Sequence, residues 1–384
     1  MFRRLHLASR ADATLRIRLV ASFFVLSLAT AGAGAVSNAA LLYYRGTWVL
    51  EDPSVSKLVA GGGNPTAAAR RRFLHETAEV EFMLEEGARA RRCDWGLDAP
   101  GHDTGLYGTV GLESRLMGLA RVSVRRFEFR SLENGGPLKG DGELTASLGI
   151  ARWLAGNPPL LLSLATRMAI VQTTLLAAAG NAGNMARASK GHFERLVAAD
   201  SGPWKCDLPS TITNELEYCA ARLAALSAEP GLTKQRVVDR LAELNLFPIP
   251  QALASRSVGE ILSAAGLTLR RLRSVAPIYD SRSYPQLKEA VDAWKSDVDT
   301  PIPAAKWLEV FRSVWGKCRR TQTMRNMFLE GLGAVKADGT VDEAALRRVA
   351  ARYSVKRSGH GFVLKARHAP LGPDVTLEFG RLGR

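Results

Sequence analysis

The sequence predicts a mainly α-helical protein with an apolar N-terminal transmembrane span, then an array of helical hairpins, and a small antiparallel β-structure at the C-terminus. Three observations predict it. A stretch without a charged side chain runs from Leu19 to Tyr44. From about 65 to 350, apolar residues recur at spacings of three and four between Gly and Pro turns. After position 351 the period changes to two.

The first stretch decides the compartment. Residues 1–18 hold Arg3, Arg4, Arg10, Arg16 and Arg18 against the single acid Asp12, a bias that keeps a flank cytoplasmic. The 26 residues 19–44 would extend about 39 Å as a helix, enough to cross a hydrocarbon core of about 30 Å. Leu19, Phe23, Phe24 and Leu28 form its apolar half, and Tyr43 and Tyr44 are read as the interfacial aromatic belt of an uncleaved anchor. The alternative is a cleavable signal peptide, cut after a small-x-small site at Ala31 to Ala33 or Ser37 to Ala39. Apolar character resumes beyond those sites and the basic flank is long, which favours the anchor. Either reading exports the body, and the anchor gives a single-pass protein of the cytoplasmic (inner) membrane with an extracytoplasmic body.

With 46 basic and 36 acidic residues after position 45, the exported part carries a net charge of +10. Such a surface attracts anionic lipid or an acidic wall polymer. No aromatic-interleaved basic run is present, which points away from nucleic acid. The four cysteines Cys93, Cys206, Cys219 and Cys318 are too few for a disulfide framework and lack the CxxC spacing of a zinc site. Export permits a bridge, for which Cys206 and Cys219 are nearest in sequence; buried free thiols are the other reading. No metal or cofactor is expected. His75 and Glu79 stand one turn apart without an HExxH context.

In chain order, 45–64 reads as a membrane-proximal linker ending in KLVAGGGNPT, too unlike a phosphate loop to hold a nucleotide. Residues 65–200 form a first helical domain. Its first helix carries Phe73, Val80 and Leu84, its second Met117, Ala120, Val124 and Phe127, and its third Leu144, Leu148 and Ala151. The fourth, from Leu160 to about Gly180, is apolar enough to rival the N-terminal span, but Arg167 at its centre costs roughly 2.5 to 3.5 kcal/mol in a membrane, so it reads as a core helix. Residues 201–350 form a second helical region, with helices near 210–227, 233–244, 258–265, 284–296 and 304–315, another from Arg319, and one near 341–351 capped by Asp338 or Thr340. The stretch 268–282 has no clear period. Residues 351–384 hold a hairpin around Arg357 to Gly361 and a third strand at Val375 to Phe379. His360 sits at the hairpin tip as a minor ligand candidate. Glu215, Glu217, Glu260, Glu289 and Glu309 read as helix-surface carboxylates. Helix-turn-helix pairs of this size suit a tetratricopeptide-like stack, though the strict consensus is absent.

CDWGLD from Cys93, LESRLMGLARVSVR, LGIARWLAGNPPLLLSLATRMAI, YPQLKEAVDAW and RYSVKRSGHGFVLKA occur in this order. Together they resemble an uncharacterised bacterial family of envelope proteins with one N-terminal membrane helix and a tetratricopeptide-like body. The resemblance covers most of the chain and implies no catalytic residues. The family's Gly/Asp-rich terminal segment, similar to that of type II secretion pseudopilins, is replaced here by HAPLGPDVTLEFGR. The leading expectation is therefore an anchored helical envelope scaffold that binds a protein partner. The alternatives are an envelope hydrolase or wall-modifying enzyme whose residues converge from separate helices, and a pseudopilin-like secretion component.

Overall fold

Each element of the computed structural model begins and ends where its local chemistry dictates. Residues 38–61, 65–95, 106–133, 140–154, 160–199, 202–246, 248–280, 283–359, 361–366 and 375–380 are described. Leu19, Phe23, Phe24, Leu28 and His360 lie outside them. The architecture is mainly helical, closed by one three-stranded sheet.

The first helix, α1 (Ala39–Gly46), starts at Asn38, whose side chain accepts from the Ala40 N–H. The same side chain accepts from Asp94 N at 2.8 Å and donates to Asp94 O at 3.1 Å, while Ala39 N donates to Arg92 O at 2.9 Å. The chain is thus pinned to the body from Asn38 onward. This corrects the reading of Tyr43 as part of a membrane belt. Tyr43 is fully buried, and the Tyr44 hydroxyl donates to Trp95 O at 2.9 Å. The linker assigned to 45–64 is corrected too. A 3₁₀ turn (Thr47–Glu51) and α2 (Pro53–Val59) occupy it and bury Val49, Val55 and Val59 in the first core. Asp52 caps α2 by accepting from Ser54 N, and Pro53 fills the first helical position, where no N–H is needed.

The first long amphipathic stretch divides into α3 (Ala67–Glu76) and α4 (Ala78–Arg89), where one helix was expected. Thr77 makes the break, its hydroxyl donating to Phe73 O at 2.7 Å. The carbonyl of Leu74 receives the Arg126 guanidinium at 2.6 Å instead of a helical N–H. Next come α5 (Leu106–Glu133), α6 (Gly142–Trp153), α7 (Leu161–Gly180) and α8 (Arg187–Ala198). Helices α1 and α6 close on α4 at glycines. A Cβ on Gly87 would meet the Tyr43 ring at 2.7 Å, and one on Gly149 would meet the Ala88 Cβ at 2.4 Å.

The second region holds α9 (Leu208–Ser227), α10 (Lys234–Glu243), α11 (Gln251–Ala254), α12 (Val258–Arg273), α13 (Tyr284–Asp297), α14 (Ala305–Gly333) and α15 (Glu343–Ala350). The helices expected at 304–315 and from Arg319 are one, because nothing between Trp315 and Arg320 breaks the period and Trp315 and Cys318 stay on its buried face. Helix α12 runs past 265 and absorbs part of the aperiodic stretch; a 3₁₀ turn (Ala276–Asp280) follows it. Asp342, rather than Asp338 or Thr340, caps α15, accepting from the N–H groups of Ala344 and Ala345, while Asp338 closes the preceding turn on Thr340.

The sheet is the antiparallel meander the sequence predicts: β1 (Tyr353–Ser358), β2 (Gly361–Ala366) and β3 (Thr376–Phe379), in the order β1-β2-β3. Phe362 pairs with Phe379 in register, their rings stacked 5.0 Å apart. Phe379 in turn stacks on Phe328 of α14, where a Cβ on Gly331 would meet its ring at 2.3 Å. The sheet therefore packs on α14 and α7.

Two hydrophobic cores result, and they do not follow the expected boundary at residue 200. The first gathers α1 to α6, the later part of α7, α8, Met324 to Leu332 of α14, α15 and the sheet. The second gathers Leu161 to Met168 of α7, α9, α10, α12, α13 and Trp307 to Cys318 of α14. Helices α7 and α14 run side by side through both, with Gln172 donating to the Thr321 hydroxyl at 2.8 Å between them. By length and composition α7 could cross a bilayer, and it is the one such helix among the described residues. It is built into the fold instead. Arg167 is 8% exposed and donates to Lys205 O at 2.6 Å.

The disulfide corrects the expected pairing. Cys206 is bonded to Cys318, 112 residues away, and not to Cys219, which is a buried free thiol. Proximity in sequence misled because α9 carries Cys219 away from its own N-terminus, whereas α14 brings Cys318 to it. In the chain-entropy account a closed loop of roughly 100 residues contributes about 4 to 5 kcal/mol. Thiol titration of the unreduced, unfolded chain should thus count two reactive groups of four. Replacing Cys206 and Cys318 by serine should lower the unfolding midpoint, whereas Cys93→Ser, at a half-buried position outside the bridge, should shift it far less.

Candidate functional site

Helix α7 begins without a cap of its own, since Leu160 at its N-cap offers no side-chain acceptor. Its first N–H groups need partners from elsewhere. Two acids from other helices surround this turn. Glu215 of α9, 6% exposed, accepts from Leu161 N at 2.9 Å. Glu113 of α5, 3% exposed, accepts from the Ser163 hydroxyl at 2.6 Å. A helix N-terminus favours negative charge, but burial opposes it. Burial pushes Glu113 up to about 7, the Ser163 bond pulling down and the neighbouring charge of Glu215 pushing further up. Glu215 is raised by burial as well, against the bond from Leu161.

This corrects the placement of Glu215 on a helix surface. It sits three residues after Ile212 and four before Cys219, inside the buried stripe of α9, and that spacing was the signal to follow. Glu217 does face solvent, paired with Arg273 at 2.5 Å, and Glu260 closes a capping box with Ser257.

A cavity of about 320 Å³ opens beside Glu215, lined by Leu161, Ala165, Glu215, Cys219, Trp307 and Lys317, among others. Trp307 is 3% exposed, and its indole N–H has no partner among the described residues. Burial raises the Cys219 thiol well above its usual range, so it is a packed thiol and not a nucleophile. The chemistry within reach is a hydrogen-bond donor, a carboxyl whose proton affinity burial raises, and an apolar wall. No histidine among the described residues lines the cavity.

A second buried polar centre lies in the first core. Glu81 accepts from Ser123 at 2.9 Å and faces Arg126 at 3.6 Å, and Arg126 also donates to the Thr77 hydroxyl at 2.7 Å. Burial first, then the charge of Glu143, pushes Glu81 up to about 8. Arg130 pairs with Glu143, and Asp141 with His192 at 2.7 Å. This centre ties α3, α4, α5 and α6 together at the Thr77 break.

Two larger concavities are open grooves. One of about 480 Å³ lies between α13 and α14, where Lys288, Lys295 and Arg312 alternate with Asp292 and Glu309. The other, about 500 Å³, lies between α2, α5, α7 and β3. His75 and Glu79 do not meet as a pair. His75 is exposed at the end of α3, and Glu79 reaches Arg45 at 3.0 Å. No group of three His, Cys, Asp or Glu suited to a metal occurs among the described residues.

Fold and site together define a class: a mainly helical protein with a small closing sheet, whose central helix is capped by a buried acid that lines a ligand-sized cavity, with a second buried acid beside it. Compared with known family models, curated proteins and solved structures, the chain matches none.

The raised acids fix the direction of the pH dependence. Both start from an ordinary 4.5, and in the folded chain Glu113 titrates at about 7 and Glu81 at about 8. Between 4.5 and these values the folded state holds more protons than the unfolded one, so stability falls as pH rises through this window. Denaturation midpoints should be higher at pH 5 than at pH 8. Glu113→Gln should lessen the decline up to about pH 7, and Glu81→Gln should lessen it across the whole window up to about pH 8. Glu215→Gln keeps an acceptor for Leu161 N, whereas Glu215→Leu leaves that N–H buried and unpaired and should cost about 1 to 3 kcal/mol.

Proposed function

We propose that this protein is an extracytoplasmic helical body, anchored in the cytoplasmic membrane by its N-terminal stretch, that works as a binding scaffold for a protein partner. The observation that carries this reading is the Cys206–Cys318 disulfide, since such bonds form and persist in oxidising compartments and are rare in the cytosol. It agrees with the arginine-rich flank and the charge-free stretch, two sequence features that export the body. The nineteen residues Leu19–Ser37 before the pinned Asn38 would extend about 28 Å as a helix, close to a hydrocarbon core of about 30 Å. Packing of α6 against α4, α5 and α7 supports the comparison with tetratricopeptide-like hairpin stacks and with the envelope family the sequence resembles. The mixed-charge groove between α13 and α14 is the surface best suited to a protein partner, because alternating Lys, Arg, Asp and Glu fit a polypeptide with charges of both signs better than a polyanion.

In spheroplasts, added protease should digest the body, and the Cys206–Cys318 bridge should be oxidised in freshly quenched cells. Protection from protease together with a reduced bridge would contradict the reading. Photocross-linkers placed at Lys288 and Arg312 should capture one and the same protein, and Arg312→Glu should abolish the capture. Separate, unrelated products would count against a scaffold.

One observation favours the second reading, an envelope hydrolase. Glu113 titrates at about 7 beside Glu215, which lines the cavity, and an acid of that kind suits general acid–base work. Hydrolysis of wall glycan or peptide by the purified chain, lost in Glu113→Gln with the fold intact, would favour this reading. Undetectable or unaltered turnover would remove it.

A further inference from the structure

The surface where the folded chain begins carries an exposed apolar strip. Leu41 and Tyr44 of α1, Trp48 of the 3₁₀ turn and Phe82 of α4 are 64, 41, 55 and 66% exposed. Spacings of three and four put Leu41, Tyr44 and Trp48 on one face. Helix α1 runs antiparallel to α4, with Gly46 against Val80 and Tyr43 against Gly87. Arg45 reaches Glu79 across that seam. Leu41, one turn before Arg45, and Phe82, three residues after Glu79, therefore lie side by side. The other exposed large apolar residues among those described, Leu132, Leu162 and Leu176, sit on other helices and include no aromatic ring.

Three of the four side chains in the strip are aromatic, and Trp and Tyr are the residues that collect at the headgroup level of a bilayer. Position in the chain says what lies against them. The proposed span Leu19–Ser37 ends at Ser37, and the next residue, Asn38, is held by hydrogen bonds to Asp94. No slack separates the end of the stretch from α1, so a bilayer spanned by Leu19–Ser37 begins where the strip begins. Laid flat, α1 brings Leu41, Tyr44 and Trp48 to the same shallow depth. The rim carries charges of both signs, Arg91 and Arg92 beside Asn38 and Glu79 and Glu86 on α4, so apolar contact dominates over charge.

We infer that Leu41, Tyr44, Trp48 and Phe82 form a docking face that seats the body on the outer interfacial layer of the membrane in which its own N-terminal stretch is anchored. This rests on the anchored reading and adds to it an orientation: the body lies against the bilayer at α1 and α4, and the groove between α13 and α14 is left for the partner.

Tryptophan emission from the full-length chain, reconstituted in phosphatidylcholine vesicles with and without brominated acyl chains, tests the inference. Leu19–Ser37 contains no tryptophan, so the anchor itself gives no signal. The chain should float with the vesicles, brominated lipid should quench its emission, and Trp48→Phe should remove at least half of that quenching at unchanged circular dichroism. The pair Leu41→Ser and Phe82→Ser, which keeps Trp48, should weaken the quenching independently, and raising the salt should change it little. Co-flotation without quenching, or quenching unchanged in Trp48→Phe, overturns the docking face and leaves the anchor standing. Failure to float overturns the anchor and the docking face with it. A Trp48 emission shift that follows protein concentration in detergent, with no quenching in vesicles, assigns the face to a second copy of the chain and overturns the inference.

Discussion

The rest of the structure depends on the side-by-side packing of α7 and α14. Each is long enough to pass through both hydrophobic cores, so neither core can lose its packing without disturbing a helix that the other also holds. The first half of α7 and the first half of α14 serve one core, and their second halves serve the other. Gln172 and Thr321 meet at the crossing between them, and the disulfide fastens the start of α9 to α14 just before that point. The sheet then seals α14 from outside through Phe379 and Phe328.

Such a helix must be apolar on nearly all sides, and this explains why α7 resembles a membrane span by composition. Its polar groups distinguish it. Arg167, Gln172 and Thr174 each find a partner inside the protein, which hydrocarbon could not supply. Its N-terminus is handled in the same way, by Glu113 and Glu215 from neighbouring helices. Two acids with raised pKa in one small volume are an expense of about a kcal/mol or more in stability near neutral pH. Their position at an uncapped helix start gives a structural reason for them, and the place of Glu215 on the cavity wall offers a chemical one.

Much of this was legible in the residues. The apolar period placed most of the longer helices but not α1, α2, α8 or α11, Arg167 marked α7 as internal, and alternation after Tyr353 gave the sheet. Errors arose where tertiary partners override local pattern. Tyr43 reads as a membrane belt until Gly87 and Gly149 are seen to make room for its ring. Residues 45–64 read as a linker because short helices of seven or eight residues leave little periodicity. Glu215 was overlooked because a carboxylate in a buried stripe contradicts composition rules unless another helix needs a cap. The partner of Cys206 could not be read at all, since it depends on how α14 crosses the fold.

The two cores form one cooperative unit because α7 and α14 belong to both. Native-state hydrogen exchange of the oxidised chain across a denaturant series tests this most directly. It is read at Ile170 to Leu175 of α7, at Ile212 to Leu223 of α9 in the second core, and at Thr321 to Phe328 of α14. All three segments are predicted to exchange through a single global opening with the same free energy and denaturant dependence. Exchange of Ile212 to Leu223 through a separate, lower-energy opening, with Ile170 to Leu175 and Thr321 to Phe328 still protected, would contradict it.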